Sequence, residues 1–427
     1  MEDTVCSNNA ESGIFIYLSD LITVTTSRFV FNGKQNIELY QSSNCSFDAN
    51  TFIGGEYGLY SYTSNSCQMR NNVFQLQSKT GIRFYDSDFI TISGTTINKV
   101  ANSGIEVIDS NSCNIFNNTI SYANEGIVLR GCFDSFLLMN TCSESFRGIV
   151  INSGQSIVTD NICQNNYQGI QVSQSVNCSL KENRCTGNDD GILLSRSDHI
   201  EVTNNTCNEN RDGIVLLAKT NNCTLLNNRI EGNLVGIRLV QNCENTTALF
   251  NSIVNNTEFG ITASNNNGFM IDATYNWWGN SSGPHHEANN SEGAGDTITD
   301  LVLFEPWLDE HGQSVFFPDE PDDDSPNWPP LALLIIILVL LFSTLVSTIR
   351  TSHQPWGTED SSRPSEKLAP KWVSPGREPS PDGAESPGRQ IVCQYCSLPF
   401  SIPMDEQGIR VQCPKCGENT LASIEGS

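Results

Sequence analysis

Short apolar runs recur along residues 13–262, and most of them open with a glycine followed by isoleucine or leucine. Within each run apolar and polar residues alternate, which is the period of a β-strand rather than that of a helix. From Gly58 onward the successive glycines are 21 to 24 residues apart. The gap between Gly13 and Gly58 equals two intervals, with Asn36-Ile37 in the missing place, so the period predicts twelve units. The glycines are Gly13, Gly58, Gly81, Gly104, Gly126, Gly148, Gly169, Gly191, Gly213, Gly236 and Gly260.

The apolar runs are separated by polar corners. Asparagine pairs such as Asn117-Asn118 and Asn204-Asn205 lie between the runs, and asparagine suits tight corners because it tolerates the left-handed conformation. No unit has an apolar stripe long enough for a helix, which disfavours a leucine-rich-repeat solenoid. Three short strands and three corners in about 22 residues describe one coil of a parallel β-helix. We predict an all-β, single-stranded parallel β-helix of about 12 coils, stacked ~4.8 Å apart.

The repeats and the segment after them resemble a known family. Residues 1–310 look like the right-handed β-helices with pectin-lyase-like coils, of the carbohydrate-binding and sugar-hydrolase type, and most like the NosD-type group and its archaeal surface relatives. The stretch "YNWWGNSSGP", followed by "GAGD" and "EPWL", resembles the ending of those surface proteins. The resemblance implies a right-handed coil and a C-terminal cap at residues 272–308. Trp277, Trp278, Phe304 and Trp307 are expected to cover the apolar end of the last coil.

The charge of the chain is concentrated in the repeats. The chain has 427 residues, with 23 Lys and Arg against 48 Asp and Glu. Residues 1–328 hold 15 basic and 38 acidic residues, whereas residues 329–427 hold 8 and 10. Because little basic surface is left to face phosphates, this balance argues against nucleic acid as a partner of the repeats.

Twelve of the 16 cysteines lie in the repeats. Cys142, Cys163, Cys185 and Cys207 each precede the next Gly-Ile by six residues, which predicts an inward column across four coils. A second column is predicted for Cys45, Cys67, Cys113 and Cys178. We interpret both as small buried apolar side chains. Disulfides between adjacent coils remain the alternative, although parallel inward vectors place the sulfurs poorly for them.

Carboxylates also recur at the repeat interval. Asp190 and Asp212 each stand directly before a Gly-Ile, and Asp189 adjoins the first of them. Stacked one coil apart, they are candidates for acid–base chemistry or for a calcium site, with Arg211 and Arg196 nearby. The same column reads Glu125, Arg147, Gln168, Asp190, Asp212 and Val235 along the chain. That variety favours a solvent-facing turn, in which Arg211 offsets the repulsion.

Four further cysteines lie near the C-terminus. "CQYC" and "CPKC" place Cys393, Cys396, Cys413 and Cys416 as two CxxC pairs, and Gly417 follows the second pair. Four thiolates at this spacing are typical of a closed, structural zinc site. The segment also resembles the short prokaryotic zinc ribbons with a CPxCG second knuckle. We predict a zinc ribbon at residues 391–420.

Residues 331–349 form an uninterrupted apolar and hydroxyl segment without a charge, which is long enough to span a membrane as a helix. Basic residues follow it from Arg350 onward, and none lies between Arg238 and Arg350. The positive-inside rule therefore predicts a cytoplasmic C-terminus and an extracellular β-helix. Proline-rich linkers are predicted at 311–330, which is acidic, and at 350–390. Sequons lie only upstream of the span, at Asn44, Asn117, Asn177, Asn204, Asn222, Asn245, Asn255, Asn280 and Asn289.

The N-terminal segment "MEDTVCSNNAESGI" has neither a basic start nor an apolar core, and so does not read as a signal peptide. It begins in the middle of a coil. We expect that a signal and earlier coils precede this segment in the complete protein, and the alternative is a cytoplasmic N-terminus.

Together these features predict a membrane-anchored cell-surface protein whose β-helix binds an extracellular glycan or a surface protein without catalysis. The cytoplasmic ribbon would contact an unknown partner. A polysaccharide lyase, hydrolase or epimerase acting through Asp189, Asp190 and Asp212 is the first alternative, although the Gly-His-Gly and Asp-Pro-His motifs of such relatives are absent. A copper-accessory role is the second, implied by the NosD resemblance, although the chain has only five Met and five His for a soft-ligand site.

Overall fold

The computed structural model describes residues 1–315 and four later strands, Arg389–Val392, Pro399–Ile402, Arg410–Gln412 and Asn419–Leu421. The chain divides into two compact units, Met1–Asp324 and Ser325–Ser427. The first unit is a parallel β-helix of three sheets, and its coils number twelve, as the repeat predicts. The predicted place of Asn36-Ile37 in the second coil is confirmed, because Ile37 pairs in register with Ile14 on one side and Leu59 on the other.

One sheet has strands of up to seven residues and is called the long sheet. Its strands are parallel and in register from coil to coil, as in the pairing of Ile192 with Ile214. They are Ile14–Tyr17, Gln35–Tyr40, Tyr57–Tyr62, Ile82–Tyr85, Ser103–Ile108, Glu125–Arg130, Arg147–Asn152, Gln168–Ser173, Asp190–Ser195, Asp212–Leu217, Val235–Val240 and Phe259–Asn265.

The second sheet follows the long strand in each coil and the third sheet precedes the next one. The second sheet contains Thr23–Thr25, Ser46–Asp48, Gln68–Arg70, Thr91–Ser93, Asn114–Phe116, Phe136–Leu138, Ile157–Thr159, Ser179–Lys181, Glu201–Thr203, Thr224–Leu226, Thr247–Leu249, Ile271–Asp272 and Val302–Leu303. The third contains Val5–Ser7, Arg28–Val30, Thr51–Ile53, Val73–Gln75, Thr96–Asn98, Thr119–Ser121, Thr141–Ser143, Ile162–Gln164, Arg184–Thr186, Thr206–Asn208, Arg229–Glu231 and Ser252–Val254.

The residues of the Gly-Ile pairs face the interior. Ile192 and Leu194 of one long strand are fully buried, as are Ile214 and Leu216 one coil later. Burying such a side chain contributes about 1.5–3 kcal/mol, and each coil repeats the gain against its neighbours. The glycine before the isoleucine is required by close packing, because a Cβ at Gly191 would lie 2.4 Å from the carbonyl oxygen of Gly213.

Buried asparagines form a ladder at the corner between the second and third sheets. Asn183 donates its amide to Asn205 Oδ1 at 3.0 Å and to the carbonyl oxygen of Val158 at 2.8 Å. Its own Oδ1 accepts from the backbone and the side chain of Asn161, both at 3.0 Å. This pattern satisfies corner backbone groups that the sheets leave unpaired. The ladder runs through Asn118, Asn140, Asn161, Asn183, Asn205, Asn228, Asn251 and Asn276.

The predicted cysteine column is confirmed. Cys142, Cys163, Cys185 and Cys207 pair in register across four coils and are fully buried. All twelve cysteines of the β-helix are free thiols in the structure. Burial raises the pKa of the Cys113 thiol to about 12, which holds this thiol neutral and supports the interpretation of the columns as apolar packing.

The cap follows the last coil. Trp278, Phe304 and Trp307 are buried there as predicted, while Trp277 is only half-buried. Two small pairs of strands complete the cap: Pro284–His285 with Gly295–Thr297, and Trp307–Leu308 with Ser314–Val315. The last of these strands lies inside the segment 311–330 that the sequence assigns to a linker.

The C-terminal unit contains two antiparallel pairs among the described strands. Arg389–Val392 pairs with Pro399–Ile402, and Arg410–Gln412 pairs with Asn419–Leu421. The four predicted zinc ligands Cys393, Cys396, Cys413 and Cys416 lie outside the described residues, as does the predicted span 331–349. Among the residues that are described, no helix is long and apolar enough to cross a membrane.

Candidate functional site

The predicted carboxylates lie on the outer face of the long sheet. Asp190 and Asp212 are the first residues of their long strands and pair directly across adjacent coils. The interpretation of their column as a solvent-facing turn is wrong. Asp212 is only 4% exposed and Val235, in the next coil, is fully buried. The column belongs to the sheet because the long strands begin one residue before the glycine.

Asp212 is paired with an arginine outside the predicted cluster. Arg238 donates Nη2 to Asp212 Oδ1 at 2.7 Å and Nε to Oδ2 at 3.0 Å. This two-bond geometry is the strongest arrangement for an arginine and a carboxylate. Arg238 is the outward residue after Gly236-Ile237 in the following coil, and that repeat position is the signal that identifies it.

The contacts of Asp190 differ from those of Asp212. Gln168 donates Nε2 to Asp190 Oδ2 at 3.3 Å from the preceding coil. Burial, together with the negative charges of Asp212 and Asp189, raises the pKa of the Asp190 carboxyl to about 6. This carboxyl therefore takes up and releases a proton near neutral pH, which is a property of acid–base groups.

The two predicted arginines differ in their relation to the cluster. Arg211 donates Nη1 to Asp189 Oδ2 at 3.2 Å, and its charge acts most strongly on Asp189 and then on Asp212. Arg196 lies past the far end of the long strand, at a corner with a φ of 50°, and does not join the cluster. Within residues 1–315, no group of three or more His, Cys, Asp or Glu is placed to hold a metal ion.

A network of ion pairs covers four coils of the same face. Glu125 accepts from Arg130 Nη2 and from Arg147 Nη1, both at 3.0 Å. Glu106 accepts from Arg130 and lies 3.5 Å from Arg83 Nε. Both glutamates are less than a tenth exposed, at 8% for Glu106 and 6% for Glu125. The network holds the charged groups in fixed positions.

A column of tyrosines precedes the network along the rod. Tyr17, Tyr40, Tyr62 and Tyr85 are stacked, with ring centroids 5.6, 5.1 and 5.4 Å apart in that order. Each tyrosine ends a long strand. The rings face one another, so the column presents ring edges and phenol groups to solvent. The Asp109 charge beside Tyr85 raises the pKa of that phenol, which keeps its hydroxyl a hydrogen-bond donor.

Two buried polar atoms on this face have no hydrogen-bond partner among the described residues, Arg83 Nε and Gln171 Oε1. Such atoms are rare in folded proteins because their desolvation is costly. Both belong to the outward column that follows the Gly-Ile pairs. Arg83 lies in the same long strand as Tyr85, and Gln171 lies in the long strand after that of Arg147. The long-sheet face is defined as the tyrosine column, the network and the outward residues of the long strands from Gln168 to Arg238.

The fold and the family matches agree that the first unit of the chain is a right-handed parallel β-helix. It matches the family described as "Right handed beta helix region" over residues 103–253 and 147–282. It also matches the family described as "Periplasmic copper-binding protein (NosD)" over residues 1–156. No curated protein sequence matches the chain.

Among solved structures, the chain is similar to the A-modules of two Azotobacter vinelandii mannuronan C-5 epimerases. The AlgE4 module is 13% identical over 66% of this chain and 88% of that chain, with a TM-score of 0.48. The AlgE6 module is 13% identical over 71% and 89%, with a TM-score of 0.45. The periplasmic alginate epimerase AlgG is 16% identical over 50% and 72%, with a TM-score of 0.38. Likenesses at these scores carry no argument about activity.

Proposed function

We propose that the protein is a membrane-anchored cell-surface β-helix whose long-sheet face binds an extended extracellular glycan without chemical turnover. The observation that carries the proposal is the composition of that face. Over successive coils it offers phenol groups and ion-paired arginines and glutamates. These are the groups that bind the hydroxyls of a sugar through hydrogen bonds.

The spacing of the groups suits a polymer. The coils stack ~4.8 Å apart, which is comparable to the length of one sugar unit in an extended chain. The tyrosine rings follow that spacing, at 5.1 to 5.6 Å between centroids. One ligand unit per coil would therefore meet a similar group at each step.

The charged groups of the long-sheet face are paired with one another, which disfavours a partner that binds through net charge alone. The β-helix is strongly acidic, yet Arg83, Arg130, Arg147 and Arg238 all project from the long strands or their ends and meet acidic partners there. A locally balanced face avoids repelling anionic sugars and does not attract cations in bulk. Hydrogen bonding then decides which polymer binds.

A glycan array probed with the full chain tests the proposal. We expect a Tyr40→Phe, Tyr62→Phe double variant to bind its glycan more weakly, by about fivefold for each lost hydrogen bond, because the stacked rings remain and only the hydroxyls are removed. Tyr122→Phe is the matched control, since Tyr122 is exposed at a corner outside the long sheet. Equal binding by wild type and double variant would contradict the assignment of the face.

The anchoring is part of the proposal. The apolar segment 331–349, the basic residues after it and the sequons before it support an extracellular β-helix with a cytoplasmic C-terminus. Protease treatment of intact cells is expected to remove the β-helix and to spare the C-terminal segment. Protection of both from the protease would overturn the anchoring.

For the C-terminal unit we propose a structural zinc ribbon. Each described pair of antiparallel strands is separated in sequence by one CxxC pair, with Cys393 and Cys396 between the first two strands and Cys413 and Cys416 between the last two. This order matches two zinc knuckles. We expect one zinc per chain by metal analysis and its loss in Cys413→Ser. Full zinc content in that variant would contradict the proposal.

The Asp190 carboxyl favours one alternative, an enzyme acting on uronate polymers. Its pKa of about 6 fits a general acid or base, and calcium near Asp212 would compete with the bonds from Arg238. Turnover of such polymers by wild type and its loss in an Asp190→Ala, Asp212→Ala double variant would establish this alternative. Copper retention by the reduced protein would do the same for a copper-accessory role.

A further inference from the structure

The sequons of the β-helix occupy corresponding places in the fold. The seven that lie in the coils have a left-handed asparagine at a corner, with φ between 50° and 59°. None of them lies in a strand of the long sheet. Four are at the corner before the second sheet, two at the corner before the third sheet and one at the corner before the long sheet. In that order they are Asn44, Asn177, Asn222 and Asn245, then Asn117 and Asn204, then Asn255.

The local geometry presents both reactive positions of a sequon to solvent. In the sequon at Asn117, the middle residue Asn118 is buried in the ladder, while Asn117 and Thr119 are exposed. The sequon at Asn177 is built in the same way, with the middle cysteine buried and the outer two residues facing solvent. The hydroxyl residue is the first residue of a short strand in both, so it lies beside the acceptor amide.

An exposed apolar patch lies between these two asparagines. Phe136 and Ile157 pair on the second sheet and are 46% and 37% exposed. Phe133, Met139 and Val176 at the adjoining corners are 49%, 51% and 46% exposed. Asn117 donates its backbone N–H to Leu138, next to Met139, and Asn177 directly follows Val176. Exposed apolar patches of this kind mark interaction sites or aggregation liabilities unless something covers them.

We propose that the corner asparagines carry N-linked glycans, and that the glycans on Asn117 and Asn177 cover this apolar patch while the long-sheet face stays bare. The inference rests on the extracellular placement proposed above. In the transfer, the amide Nδ2 forms a bond to the anomeric carbon of an oligosaccharide and loses a proton. The bond from that carbon to the phosphate of a lipid carrier breaks, and the lipid phosphate leaves.

The structure also ranks the sites. Asn222 donates Nδ2 to Asp198 Oδ1 at 2.7 Å, and its side chain is half-buried. The amide that would receive the glycan is therefore less accessible and already holds one hydrogen bond. We therefore expect lower occupancy at Asn222 than at Asn117, Asn177 and Asn204, which are exposed. Asn227 provides an internal control. It has the same conformation, with a φ of 54°, at the same corner as Asn204, but Arg229 stands in the hydroxyl position.

The test is peptide mass spectrometry on the full chain isolated from its native membranes. We expect glycan masses on Asn117, Asn177 and Asn204, and none on Asn227. Arg229→Thr is expected to add a glycan at Asn227. Unmodified Asn117 and Asn177 in the recovered peptides would overturn the inference, and so would an Arg229→Thr protein that gains no glycan.

The covering role has its own readout. Thr119→Ala and Ser179→Ala each remove a sequon while keeping the corner asparagine. The double variant is expected to lose two glycans and to self-associate more than wild type in sedimentation. Unchanged self-association would overturn the covering role. Protease treatment of intact cells separates the two proposals, since an accessible β-helix without glycans overturns only this inference, whereas a protected β-helix overturns both.

Discussion

The inner and outer faces of the long sheet are made by the same strands but follow different rules. Inside, the same kinds of residue return in each coil, as Ile192 and Leu194 are followed by Ile214 and Leu216. Outside, some columns keep one residue type over several coils, as the tyrosines do, whereas others vary, as Asp190 pairs in register with Gln168 before it and Asp212 after it. The interior repeats because every coil buries its residues against an identical neighbour. The exterior is released from that constraint, so its particular side chains report on binding rather than on the fold.

The largest effect is expected inside the rod. Asn183→Ala removes both amide bonds and leaves the backbone N–H of Asn161 and the carbonyl of Val158 without their partner. Unsatisfied buried groups cost about 1–3 kcal/mol each, so we expect a loss of about 3–5 kcal/mol. Urea unfolding followed by circular dichroism measures the loss.

Asn114→Ala is the matched control for that experiment, because Asn114 is exposed on the second sheet. We expect its effect to stay below about 0.5 kcal/mol. Equal losses in the two variants would contradict the structural role of the ladder and would remove the difference between the inner and outer positions.

A smaller effect is expected at the ion-pair network on the outer face. Glu125→Ala leaves Arg130 and Arg147 without the carboxylate that both contact at 3.0 Å. Breaking a buried pair costs about 3–5 kcal/mol, and we expect about 2–3 kcal/mol because both arginines keep access to solvent. Thermal unfolding measures the change.

The exposed pair of Glu11 and Lys34 offers the contrast to the network, since both side chains are more than half exposed. Glu11→Ala is expected to change the free energy of unfolding by less than about 1 kcal/mol. A larger loss in Glu11→Ala than in Glu125→Ala would show that the network does not hold the outer face together.

The sequence predicted the inner face almost completely. The interval between the Gly-Ile pairs predicted the length of a coil, the number of coils and their register. The interval is regular because glycine is required where a Cβ would meet the next coil, as at Gly191. Asparagine pairs indicated the corners because the two positions of a pair have separate structural requirements that asparagine meets. The second asparagine of a pair, such as Asn205, extends the buried ladder, and the first, Asn204, adopts the left-handed corner conformation.

The outer face was predicted poorly. The varied residues in the column of Asp190 indicate a turn, yet on the outer face of a sheet such variation means only that no core constrains the residues. The pairing of Asp212 with Arg238 depends on two residues in different coils and different columns. Neither residue type repeats regularly along its column, so the pairing of Asp212 with Arg238 can be predicted only when the register of the sheet is known.

The third effect on stability, smaller than those at Asn183 and Glu125, is expected at Asp190, and it depends on pH. The folded protein raises the pKa of this carboxyl from 3.8 to about 6 through burial. Between those values the folded protein binds a proton that the unfolded chain releases, so this residue lowers the stability progressively as the pH rises through that range. Asp190→Asn lacks the charge and is expected to be more stable than wild type above pH 6, on the order of 1 kcal/mol after solvent screening. At pH 4 the difference should vanish. The melting temperatures of the two proteins, compared at each pH, separate the effect of Asp190 from that of the other carboxyls. A difference that stays constant with pH would contradict the raised pKa of Asp190. Asp190 would then be an ordinary residue of the outer face.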